Sequence, residues 1–127
     1  MTVAKSASAT TLRAVDTTTE LYVEPNAIVV GITDDLLALC HEVLAPAGLK
    51  VYRVAHAHAA CERMAVLLPR LVVVPAAMRS IELDLIEDRA KAVGAILLHL
   101  DPGHGYDLLG AQLHMTVQDL RKMYGGR

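Results

Sequence analysis

Residues 27–51 read AIVVGITDDLLALCHEVLAPAGLKV, and the hydrophobic period changes twice along them. Ala27 to Ile32 is a continuous apolar run rich in β-branched residues, the mark of a strand covered on both faces. Thr33-Asp34-Asp35 follows. A hydroxyl there caps a helix, and carboxylates suit the positive end of its dipole. Leu36, Leu37, Leu39, Cys40, Val43 and Leu44 recur at helical spacing, until Pro46 and Gly48 end the helix and Leu49 to Val54 begins a second strand.

The alternation continues downstream. Ala57 to Leu68 has a helical pattern stopped by Pro69, and Leu71 to Val74 is a third buried strand. Ser80 caps a third helix that has Glu82 and Asp84 in its first turn, a stripe of Ile81, Leu85 and Val93, and Gly94 at its end. Ala95 to Leu100 is a fourth strand, Asp101 to Gly105 a loop, Gln112 to Thr116 a short fifth strand, and Val117 to Tyr124 the last helix. Strands alternating with helices predict an α/β fold, with a mainly parallel five-stranded sheet and helices on both faces. Residues 1–26 are rich in Ala, Ser and Thr and read as a flexible arm, with a candidate strand over 20–24; residues 27–127 form the domain.

Composition narrows the function. The chain has 127 residues, enough for one domain that needs neither disulfide nor metal to fold. Hydrophobic residues make up 54%, yet Phe and Trp are absent and Tyr occurs four times, so stacking platforms for bases or sugars are essentially missing. The net charge of −2 offers no basic surface, and no nucleic acid partner is expected. Cys40 and Cys61 fit a reducing cytoplasm, and no apolar run is long enough for membrane insertion.

No catalytic set assembles. Cys40 and His41 are neighbours on a helix and point about 100° apart. Ser80 is the lone serine of the domain, and Gly103-His104-Gly105 lacks the strand–glycine–helix frame and lysine of a phosphate loop. Glu82, Asp84, Glu87 and Asp88 read as a solvated helix face. His56, His58 and Cys61 carry imidazole and thiol at a strand end, with His99 and His104 on the same rim, and they are the candidates for a metal. Solvated loop histidines and a core cysteine are the simpler account, since ligand spacing alone rarely specifies a site, so no metal and no cofactor are expected.

The order and spacing of elements over about residues 27–124 resemble the receiver domain of bacterial two-component response regulators. Ile28 to Leu37 is similar to that family's opening strand and helix start, Leu44 to Val51 to its helix–glycine–strand turn, Pro69 to Pro75 to its third strand, and Gly110-Ala111 to the pair before its fifth strand. The resemblance implies a flavodoxin-like three-layer sandwich with a shortened fourth helix, because Asp101 to Leu109 leaves room for about two turns. The family's Mg²⁺-binding acidic pair falls on Gly31 and Ile32, its phospho-acceptor on Pro75, its hydroxyl on His99 or Leu100, and its lysine on or near Met115. Asp34 and Asp35 come too late in the chain. Without carboxylates to hold Mg²⁺ or accept phosphate, the resemblance implies a degenerate pseudo-receiver. The expected function is a non-catalytic protein–protein interaction module: an adaptor, scaffold or self-assembling subunit in bacterial signalling or localisation. Leu108, Leu109, Leu113 and Leu120 are the expected partner anchors, and a homodimer or larger assembly is expected. The alternative is a small ligand- or metal-binding flavodoxin-like domain using the carboxyl edge of the strands.

Overall fold

Asn26–Val30 (β1) is buried at every residue, as a central strand with helices above and below must be. The computed structural model describes residues 25–123, so the candidate strand over 20–24 and nearly all of the expected arm lie outside the described residues. After β1 come α1 (Asp34–Leu44), β2 (Lys50–Val54), α2 (Ala57–Leu67), β3 (Leu71–Pro75), α3 (Ser80–Val93), β4 (Ile96–Leu100) and α4 (Tyr106–Met123). The strands lie in the order β2-β1-β3-β4, and all pairs are parallel.

Alternate residues of the strands serve opposite faces. Ala27, Val29, Leu71, Val73 and Leu100 pack against Leu36, Cys40 and Leu44 of α1 and Leu109, Leu113 and Leu120 of α4. Ile28, Val30, Val72 and Val74 pack against Ala60, Cys61 and Met64 of α2 and Ile86 and Ala90 of α3. Thr33 caps α1 as expected, its side chain accepting from the Leu36 N–H. Gly94 ends α3 with φ 76°, a left-handed turn that glycine adopts without strain. Ser80 is not the cap of α3: Arg79 holds that position without a side-chain cap bond, and Ser80 is the first helical residue.

Among the described residues the sheet has four strands where five were expected. Gln112 to Thr116 is not a strand, and no shortened fourth helix precedes it. One continuous helix of 18 residues, α4, replaces that helix, the fifth strand and the start of the last helix. Leu109, Leu113, Val117 and Leu120 repeat at i, i+4, i+8 and i+11, so a helix buries all of them against α1 and the sheet at once. A strand over 112–116 would turn Leu113 to the core and leave the other leucines of this stripe to be covered separately. Gly110 lies within α4, beside α1, where a Cβ would meet Leu39 Cδ1 at 4.0 Å. The buried Thr116 hydroxyl donates to the Gln112 carbonyl at 2.9 Å, a bond that satisfies it inside the helix. Without a strand at 112–116, β4 is a sheet edge among the described residues.

Candidate functional site

In a parallel α/β sheet the strands end together, and chemistry gathers on the rim at their carboxyl ends. Here that rim begins with Gly31, which leaves β1 with φ 61° and donates its N–H to the Val54 carbonyl at 2.9 Å. A Cβ on Gly31 would stand 3.4 Å from the Ala55 carbonyl oxygen. Ile32 turns back into the core, 4% exposed. Pro75 closes β3, and just past it the Ala76 N–H donates to the Leu100 carbonyl at 2.8 Å. His99 is exposed at the end of β4 and Leu100 is buried. None of these positions carries a carboxylate or hydroxyl.

The nearest acidic groups are otherwise engaged. Asp34, in the first turn of α1, pairs with Arg53 of β2 at 2.7 Å, and the same guanidinium donates to the Ile32 carbonyl at 3.0 Å. Arg53 therefore stitches the first loop to the neighbouring strand. Asp35 meets Tyr106 at the start of α4. Partial burial, the Asp35 charge and a hydrogen bond to that carboxylate push the Tyr106 phenol above its ordinary range. Asp101 accepts from the Gly103 N–H at 2.8 Å and lies 3.7 Å from His104, holding the loop after β4 on itself.

The histidine candidates do not converge. His56 Nδ1 accepts from the Ala59 N–H at 3.2 Å and is the N-cap of α2, a role the sequence reading missed. His58 faces Glu62 on the helix surface. Cys61 is buried against α3, with Sγ 3.9 Å from the Leu85 carbonyl; burial raises its thiol pKa and Arg89 partly offsets that. Among the described residues no group of three or more His, Cys, Asp or Glu could hold a metal ion.

Two other groups of predicted residues are placed differently from expectation. Met115 is not on the rim: it projects from the middle of α4 and is 65% exposed. A strand ending near residue 115 would have brought it to the rim, and the helix removes it. Of the four leucines expected at a partner contact, Leu109, Leu113 and Leu120 are core residues, and Leu108 alone reaches the surface, 49% exposed. The helical period turns the first three inward.

The four parallel strands and four helices make a receiver-like α/β fold. The chain is similar to the signal receiver domain of a Luxo repressor protein from Vibrio parahaemolyticus, with a TM-score of 0.59 at 10% identity, covering 80% of this chain and 95% of that one. It is also similar to the pseudo-receiver domain of the CikA protein, with a TM-score of 0.52 at 18% identity, covering 76% of this chain and 96% of that one. No protein-family model and no curated protein matches the sequence. At these identities the likeness is one of fold, and function has to be argued from the residues themselves.

Proposed function

We propose that this chain is a non-catalytic receiver-like module that works through protein contacts, as an adaptor, scaffold or self-assembling subunit in bacterial signalling or localisation. It takes no phosphoryl group at the position where receivers carry their aspartate. One observation supports the reading: Gly31, Ile32 and Pro75, onto which the receiver resemblance puts the Mg²⁺ and phosphate positions, carry no carboxylate, and the neighbouring Asp34 is tied to Arg53. Mg²⁺ demands near-octahedral oxygen ligands, and phosphoryl transfer needs that charge in place. What remains is the folded scaffold and its outer surfaces. The module acts in the cytoplasm on a protein partner or a second copy of itself, without cofactor or nucleic acid. No described helix is long and apolar enough to cross a membrane.

The test is intact mass after incubation of the full chain with acetyl phosphate and Mg²⁺. The expected result is an unchanged mass. A phosphoryl adduct of about 80 Da mapping to an aspartate between residues 27 and 123 would overturn the reading.

A further inference from the structure

The sequence treats the two edges of the sheet differently. The outer strand β2 presents Lys50 and Arg53, both exposed, and charges on an edge strand oppose pairing with another chain. The outer strand β4, Ile96-Leu97-Leu98-His99-Leu100, has no Lys, Arg, Asp or Glu, and its first three residues are half-buried. Among the described residues its backbone pairs on one side only. The Ile96 N–H donates to the Arg70 carbonyl at 3.0 Å and the Leu100 carbonyl accepts from Ala76 at 2.8 Å. Ile96, Leu98 and Leu100 therefore direct their backbone groups at β3, and the alternation turns the N–H and C=O of Leu97 and His99 outward.

Both helical layers reach this strand, since α3 and α4 each contact β4. The flank of α4 that carries Gly110, His114 and Val117 lies along α1. By the helical period the opposite flank, with Leu108, Met115 and Met123, overlooks β4, and these three are among the exposed large apolar side chains. On the other face, α3 turns Leu85 toward Cys61 of α2. Its opposite flank then carries Glu87 and Lys91, one turn apart.

We propose that the β4 edge pairs with the β4 edge of a second copy, antiparallel about a two-fold axis beside Leu98, joining two sheets into one. This rests on the interaction-module reading and names its partner. In that arrangement Leu97 of each copy exchanges N–H···O bonds with His99 of the other, and Leu98 lies against Leu98. Met115, near the middle of α4, faces its counterpart. Glu87 of one copy stands beside Lys91 of the other, so the α3 flank is self-complementary in charge. Reach argues for a second copy over a strand at 20–24 as the occupant of this edge. A strand beyond β4 lies three strand spacings from β1, roughly 14 Å. Residues 20–24 are separated from β1 by Pro25 alone, and the two residue steps from Glu24 to Asn26 span at most ~7 Å.

The test is the mass of the full chain by light scattering and sedimentation over a concentration series. The expected species has twice the monomer mass of 13.6 kDa. His99→Pro removes an outward N–H without touching the ladder to β3, and Met115→Lys places like charges face to face; each is expected to weaken the dimer about tenfold or more while circular dichroism stays native. Where His99→Pro fails to fold, Met115→Lys on the exposed helix flank carries the test. Oxidised Leu98→Cys is expected to give a disulfide-linked dimer, since opposed residues of a non-hydrogen-bonded pair come within about 4.5 Å at Cα. In the full chain, Leu21→Asp with Val23→Asp should leave the dimer intact; if it dissociates, residues 20–24 are the occupant and the proposal is wrong. A monomer at every concentration, or a dimer indifferent to both edge substitutions, refutes it equally. A monomer that takes no phosphoryl group would sink the paired sheet and leave the module reading standing, whereas a phosphoryl adduct sinks the module reading whatever the mass.

Discussion

Leu113 and Met115 are two residues apart, and replacing each with alanine distinguishes a helix from a strand at this point. In a strand both side chains would share one face. In α4 they are about 200° apart, Leu113 fully buried and Met115 65% exposed. Leu113→Ala removes three buried carbons, a transfer loss of about 2.4 kcal/mol at ~0.8 kcal/mol per methylene. The cavity left between α4, α1 and the sheet brings the total to about 3 kcal/mol, inside the ~2–5 kcal/mol range of such substitutions. Met115→Ala empties no core space and should cost under about 0.5 kcal/mol. With a urea slope of about 2 kcal/mol per molar, the midpoint falls by about 1.5 M for Leu113→Ala and by about 0.25 M or less for Met115→Ala. The assay is urea unfolding followed by circular dichroism in dilute protein, where self-association contributes nothing. Equal losses at the two positions, or a loss under about 1 kcal/mol at Leu113, would refute the helical packing.

Two further outcomes follow from the site. His56→Ala should cost about 1 kcal/mol by removing the cap of α2, with His56→Ser recovering most of it, while His58→Ala stays within about 0.5 kcal/mol; thermal unfolding of the three variants checks this. Burial pushes the Cys40 thiol from 9.0 to about 11. The fold therefore disfavours the thiolate, so its stability is undiminished below pH 9 and falls as pH rises from 9 toward 11. Urea midpoints across that interval should drop more steeply for the wild type than for Cys40→Ala, and parallel slopes would contradict the burial.

The sequence is readable where one period dominates. Ala27 to Val30 and Leu71 to Val74 are apolar at every position, and both stretches lie fully buried in β1 and β3, while Gly31 and Ile32 of the same apolar run fall past the strand end. Thr33 was recognised as a cap because a hydroxyl precedes two carboxylates and a helical stripe. His56 was missed because histidine is an uncommon cap, although its backbone enters α2 in the extended form any cap requires. The stretch from 106 to 123 failed for a different reason. Over Gln112 to Thr116 the pattern polar-apolar-polar-apolar-polar fits a period of two, and Gly110 looked like a break before it. The longer stripe of Leu109, Leu113, Val117 and Leu120 carried the decisive signal, and it shows only in a window wider than one strand. Reading the rim succeeded further than reading the contacts. Strand ends fix which residues stand at the rim, and Gly31 and Pro75 stand at the ends of β1 and β3, whereas the burial of Leu109, Leu113 and Leu120 depends on α4, the element that a period of two obscures.

The replacement of three elements by α4 also shapes how the fold opens. This helix is tethered by the loop Asp101 to Gly105, exposed at every residue, and held to the body along a single seam with α1 and the sheet. A helix held along one seam can come away as one piece at a cost below global unfolding, and hydrogen exchange would then show its amides trading together, ahead of those in β1 and β3. Each opening bares Leu71, Val73 and Leu100 on one side of the sheet. It also presents an unhindered stretch at 101–105 to a protease. A partner that clasps the outer flank of α4 would hold it docked and slow both exchange and cleavage.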